Sequence, residues 1–181
     1  MKIVVRLILL LAVAALVFWL WTVFFPSPEK VIRKQLTALA ADVSFTADEN
    51  NLIKVAHAQS VGNFFASNVV INVTIPGHDQ ETITGPEEIV QAALILRQNS
   101  TSCDMKFPDI DVVVAPDKMS ATAEVTVDAS LSGESNAILQ EVKFTFEKVD
   151  GHWLINKVET VKVLSLLDNH AHAASCAIAA S

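Results

Sequence analysis

The stretch MSATAEVTVDASL, Met119 to Leu131, alternates without a break over thirteen residues. Met119, Ala121, Ala123, Val125, Val127, Ala129 and Leu131 make one apolar face, and Ser120, Thr122, Glu124, Thr126, Asp128 and Ser130 make the other. A period of two is the mark of a half-buried strand, and a slip of one residue would exchange the two sets. Val125 and Val127 are therefore predicted to be buried against helices, with Thr122, Glu124, Thr126 and Asp128 outward. Downstream, Val142, Phe144 and Phe146 alternate with Lys143, Thr145 and Glu147. Asp150-Gly151 is a hairpin turn signal, followed by a partner strand from His152 to Leu164. Lys157 and Glu159 interrupt that strand's Trp153, Ile155, Val161 face, marking either a pocket mouth or a bulge. Upstream, Ile110, Val112 and Val114 alternate with Asp109, Asp111 and Val113 up to Pro116-Asp117.

Before these strands the period changes to that of helices. Ser27-Pro28-Glu29 combines a capping hydroxyl, proline at the first helical position and an early acid, and Ile32, Leu36, Leu39, Ala40 and Val43 carry a helix to about Val43. Asp48-Glu49-Asn50 starts a second helix, with Ile53, His57, Val61, Phe64 and Phe65 along one stripe. From Asn68 the alternation Val69, Ile71, Val73 predicts a strand, broken at Pro76-Gly77, with a short return over Gln80 to Thr84. Gly85-Pro86-Glu87-Glu88 opens a third helix with Ile89, Ala92, Ala93 and Leu96 on its face and Arg97 near its end. One-faced helices and one-faced antiparallel strands imply an α+β domain, with helices on one side of a curved sheet.

Composition narrows the rest. Leu7 to Phe25 holds 19 residues of which only Thr22 is polar. As a helix it spans about 28 Å, the hydrocarbon thickness of a bilayer. Ala12-Val13-Ala14 fits a signal-cleavage pattern, but the apolar run continues past it and ends in an aromatic cluster suited to a membrane interface. The expectation is an uncleaved single-pass signal-anchor over residues 1–25. Lys2 and Arg6 keep the amino terminus cytoplasmic, and the domain over 26–166 is then periplasmic or extracellular. Residues 167–181 form an alanine-rich, loose tail. The chain carries a net charge of −7, and the part after the anchor is more acidic still, so nucleic acid is not an expected partner. Five glycines without a GxGxxG or GxxxxGK[ST] pattern exclude the usual nucleotide loops, and two cysteines are too few for a disulfide scaffold or a four-cysteine zinc site.

The segments "FFASNVVINV", "TITGPEEIVQAAL" and "FTFEKVDGHWLINKVETVKV", in this order behind two helices, resemble the nuclear transport factor 2-like superfamily, including its SnoaL-like members. The resemblance covers about Glu29 to Leu166. It implies a cone-shaped fold, three helices on a strongly curved, mostly antiparallel sheet, here preceded by one transmembrane helix. The superfamily holds ketosteroid isomerases, scytalone dehydratase and polyketide cyclases beside many binding and assembly modules. In architecture the chain is also similar to inner-membrane scaffold subunits of type IV secretion systems, which carry one membrane helix before such a domain.

Enzymes of this kind place an Asp or His base beside a Tyr, Asp or Asn polariser. The chain has no tyrosine, so an oxyanion donor of that kind is missing. His57 is the one pocket candidate for catalysis. The preferred reading of it is a half-buried, hydrogen-bonded helix histidine; as a base it would need a partner to hold its tautomer, which its neighbours one turn away, Ile53 and Val61, do not supply and a distant strand could. Asp109 and Asp111 share a strand face and are expected to meet water. His170, His172 and Cys176 lack a fourth metal ligand, and Cys103 and Cys176 form a disulfide only if the fold brings them together. Asn72-Val73-Thr74 and Asn99-Ser100-Thr101 fit the glycosylation pattern, relevant only to a eukaryotic source. No metal or cofactor is expected. The leading expectation is a membrane-anchored, non-catalytic binding or assembly module, with a homodimer or protein partner. The alternatives are a SnoaL-like enzyme (isomerase, cyclase or dehydratase) and a carrier of a small hydrophobic ligand.

Overall fold

Helix α1, Pro28–Val43, buries Ile32, Leu36, Leu39 and Ala40, the positions spaced by three and four. The computed structural model describes residues 27–74, 81–132 and 138–163. The anchor run and the tail lie outside them, and among the described residues no helix is long and apolar enough to cross a membrane. Ser27 precedes α1 as expected, but its hydroxyl makes no capping bond; its carbonyl instead accepts from the amides of Lys30 and Val31. Helix α2 runs over Asn51–Gly62, capped by the Asn50 side chain on the amide of Ile53 at 2.9 Å. Phe64 and Phe65 therefore leave the predicted helical stripe. Phe65 opens strand β1, Phe65–Val73, three residues before the expected start. Strand β2, Glu81–Thr84, leads into helix α3, Gly85–Asn99. Strands β3 (Cys103–Val114), β4 (Ser120–Leu131), β5 (Ile138–Val149) and β6 (His152–Val163) follow.

The six strands form one mixed sheet in the order β2-β1-β6-β5-β4-β3. All neighbours are antiparallel except β1 and β6, which run parallel. The fold is thus α+β, three helices on a six-stranded sheet. The alternation in β4 behaves as read: Val125 and Val127 share the core with Ile32, Leu36 and Leu39, and Glu124 is exposed while Thr122, Thr126 and Asp128 are half-buried. Met119 lies before the strand and is exposed instead of completing its apolar face. Asp150 and Gly151 take φ of 49° and 86°, the pair of positive values a two-residue hairpin turn needs.

Strand β6 carries two irregularities against β5. The register passes from Lys157 to Ile155 and from Lys162 to Thr160, leaving Asn156 and Val161 as extra residues. These bulges account for the interruption at Lys157 and Glu159, which pair with each other at 2.8 Å near the surface. They also turn Val161 out to solvent rather than onto the Trp153–Ile155 face. Between α2 and α3 the approach is close. A Cβ on Gly62 would come within 2.7 Å of the Val90 side chain, so the glycine is what lets these helices touch.

Candidate functional site

The polar centre of the domain lies where α1 ends. Asp42 occupies the last turn of α1, where the helix dipole disfavours an acid. Its carboxylate is held by the other helix: Ser60 donates to Oδ2 at 2.5 Å and His57 Nδ1 lies 3.1 Å from Oδ1. His57 and Ser60 sit three apart on α2 and so share one face. Because a carboxylate only accepts, Nδ1 is the donor in this pair. Sequence reasoning sought a partner for His57 within its own helix and missed Asp42. The available signal was an acid placed against the dipole near one helix end, facing a His-x-x-Ser pair on the next.

Arg97 was read from the sequence only as a cation near the end of α3. It is 2% exposed, among the most buried side chains of the domain. Nη1 donates to Glu49 Oε2 at 2.5 Å. Nη2 donates to the backbone carbonyls of Asp42 and Ser44, and the guanidinium lies 4.9 Å from the centroid of the Phe45 ring. The last carbonyls of a helix lack intrahelical partners, and here a cation from another helix supplies them. Phe45 and Cys103 exchange both backbone hydrogen bonds, at 2.9 and 3.0 Å, fixing the start of β3 below this junction.

Beside the junction opens a recess of about 500 Å³, lined by Thr46, Glu49, His57, Ser102, Cys103 and Asp104 among others. Its carboxylates already have partners, Glu49 in Arg97 and Asp104 in Lys106 at 2.5 Å. Burial pushes the Cys103 thiol up, more than the nearby Arg97 charge pulls it down, which keeps it protonated and a poor nucleophile near neutrality. The interior between α1 and the sheet is filled by Phe144, Phe146, Trp153 and Ile155 packed with Ile32 and Leu36. His57 thus belongs to an open recess at the rim of the sheet, with a side chain 38% exposed against 22% for Asp42.

Asp42→Ala strips both Ser60 and His57 of their acceptor and should cost about 1–2 kcal/mol. His57→Ala removes one partly exposed contact and should cost under about 1 kcal/mol. Urea denaturation of both variants measures the difference.

Asp109 and Asp111 face outward as expected. With Glu124 and Glu141 they border a shallow hollow of about 160 Å³ on the outer face of the sheet. Asp111 stands directly opposite Glu124, and Thr126 stands between Asp109 and Glu141, so like charges crowd one another there. Thr126→Lys should raise stability by about 0.5 kcal/mol and Thr126→Asp should lower it by as much. Thermal melts at low salt test the pair. Asn72 accepts a hydrogen bond from Thr82 at 2.9 Å, and Asn99 is exposed at the end of α3. Cys176, His170 and His172 lie outside the described residues, and with them the proposed Cys103–Cys176 pairing.

No protein-family model and no curated protein matches the sequence. Solved structures do match the fold. A nuclear transport factor 2-like protein of unknown function from Pseudomonas putida KT2440 superposes with a TM-score of 0.60 at 10% identity, covering 78% of this chain and 91% of that one. A candidate scytalone dehydratase from Novosphingobium aromaticivorans DSM 12444 gives 0.56 at 13% identity, with 75% and 84% covered. A candidate calcium/calmodulin-dependent protein kinase II association domain from Xanthomonas campestris gives 0.52 at 17%, again with 75% and 84% covered. The fold is therefore that of the nuclear transport factor 2-like proteins, a fold that hosts unrelated activities.

Proposed function

We propose that the chain is a membrane-anchored, extracytoplasmic domain of nuclear transport factor 2-like fold that works by binding or assembly rather than by turnover. The filled interior carries this reading: Ile32, Leu36, Phe146 and Ile155 are fully buried between α1 and the sheet, where the resemblance to enzymes of this fold implies a pocket. The apolar run Leu7–Phe25 supplies the anchor, and Lys2 and Arg6 its orientation. Alkaline carbonate extraction should leave the full-length protein in the membrane pellet, and protease added to spheroplasts should digest everything after Pro26. Release of a shortened chain beginning near Ala15 overturns the anchor. Light scattering of the full chain in detergent should give the mass of an oligomer or of a complex with a partner protein.

One observation favours a SnoaL-like enzyme as the second reading. His57, which meets Asp42, borders the 500 Å³ recess, and a histidine held by a carboxylate is the arrangement a general base needs. Against it stands the surrounding chemistry. Among the described residues the carboxylates of the recess are engaged, Glu49 by Arg97 and Asp104 by Lys106, and its thiol is protonated. Loss of a measured isomerase or dehydratase activity in His57→Ala, with the fold retained, would establish this second reading.

A further inference from the structure

Cys103 and Cys176 are the two cysteines of the chain, and the sheet topology puts the second within reach of the first. β5 is antiparallel to both β4 and β6, so β6 runs in the direction of β4. Val163, its last residue, stands opposite Gln140, and Gln140 stands opposite Val127. Cys103 stands opposite Leu131, four residues further along β4, a rise of about 13 Å. The three strand spacings from β6 to β3 add about 14 Å sideways. The chain at Val163 is therefore already heading for the end of the sheet where Cys103 lies, about 20 Å away. Cys176 comes 13 residues after Val163, a length that spans up to about 43 Å.

That end also has room for a second sulfur. The recess of about 500 Å³ opens there, and Cys103 is part of its lining. Because Cys103 is otherwise buried, the recess is the side from which another cysteine approaches it. Ala41, Ser44 and Ser102, all small, share the lining. Around Cys176 the sequence reads Ala173-Ala174-Ser175-Cys176-Ala177. Small side chains on both sides let two stretches of backbone come close, as a disulfide with its Cβ atoms about 3.8 Å apart requires. A tether of this length also sets a millimolar effective concentration, about a thousandfold above that of a protein at micromolar concentration.

We propose that Cys103 and Cys176 form a disulfide within one chain, drawing residues 164–176 across the end of the domain where the recess opens. The inference rests on the extracytoplasmic reading above, which supplies oxidising surroundings. The oxidant is itself a disulfide, of the class of oxidised glutathione. Cys176 attacks it, forms a mixed disulfide and releases one thiol. Cys103 then loses its proton, attacks the Cys176 sulfur and releases the second thiol. Two protein thiols thus become one S–S bond while the oxidant is reduced to two thiols. Burial keeps Cys103 protonated, which makes the second step the slow one and quickens it as pH rises. His57 then shares its recess with the chain's own carboxy-terminal segment.

The test takes the full chain in detergent, at micromolar concentration, through a mildly alkaline glutathione redox buffer, followed by acid quenching and alkylation. Trypsin cuts after Arg97, Lys106 and Lys162, so it releases Cys103 in Gln98–Lys106 and Cys176 in Val163–Ser181. Mass spectrometry should find these two peptides joined, in chains that run as monomers on a non-reducing gel, and reductant should part them. The monomeric product should exceed disulfide-linked dimers at least about tenfold. Oxidation should raise the melting temperature of the full chain by at least about 5 °C and leave that of Cys176→Ser in place. Recovery of the two peptides apart, alkylated or carrying glutathione, overturns the link, and so does a Cys176–Cys176 dimer as the main product. The second arm quenches and alkylates whole cells that express the chain, where the two peptides should again be joined. A link that forms in the glutathione buffer but is missing from such cells overturns the extracytoplasmic reading on which the inference rests, whereas one that forms in neither overturns the approach of Cys176 to Cys103 itself.

Discussion

Arg97→Met should lower the unfolding free energy by about 3 kcal/mol, although methionine matches the stem in length and adds apolar contact. The reason is what the guanidinium leaves behind. Glu49 loses its ion pair at 2.5 Å, and the carbonyls of Asp42 and Ser44 lose the donor that reaches them from α3. Removing one member of a buried pair strands the others, whereas removing both charges together is milder. Arg97→Met combined with Glu49→Gln should accordingly lose less than the sum of the single changes. Urea denaturation of the three variants reads this directly. A single-variant loss below about 1 kcal/mol would mean that water takes the place of the guanidinium.

Val125→Asp should abolish cooperative unfolding altogether. Val125 stands between Ile110 and Val142 in the sheet and is buried in the shared core. A carboxylate there has no partner, and burying it costs several kcal/mol, comparable to the whole stability of a domain of this size. Glu124→Ser, one residue away and outward, should stay within about 0.5 kcal/mol of the parent. Far-UV circular dichroism during heating separates the two. Similar losses from both would mean that the outer face of the sheet is covered by another surface.

The elements legible in the sequence were those whose signal is local. The alternation of β4, the Asp150-Gly151 hairpin and the Gly85-Pro86-Glu87-Glu88 start of α3 each report a backbone preference that tertiary structure left in place. Phe64 and Phe65 misled because an apolar pair fits a helical stripe and a buried strand equally well. Asn63 ends the helix turn there, and β6 recruits Phe65 into the sheet opposite Ile155. Arg97 was legible only as a cation near its helix end, because that role is local while its burial is not: Glu49 and the end of α1 meet it only after folding. The same holds for His57, whose partner comes from a different helix. The bulges at Asn156 and Val161 left a trace in the sequence, the break in apolar alternation, without saying which of two meanings it had.

The parallel pairing of β1 with β6 orders events during synthesis. β1 can bond only to β2 and β6, and its first partner, Ile155, lies 90 residues after Phe65. While the ribosome is still making β3, β4 and β5, the β1–β2 pair therefore waits with an open edge. Closing a loop of that length is slow, and an open apolar edge invites pairing with other chains. A nascent chain stopped before His152 would hold two unconnected sheet fragments under its helices. The last of the described strands to be translated is thus the one that turns them into a single sheet.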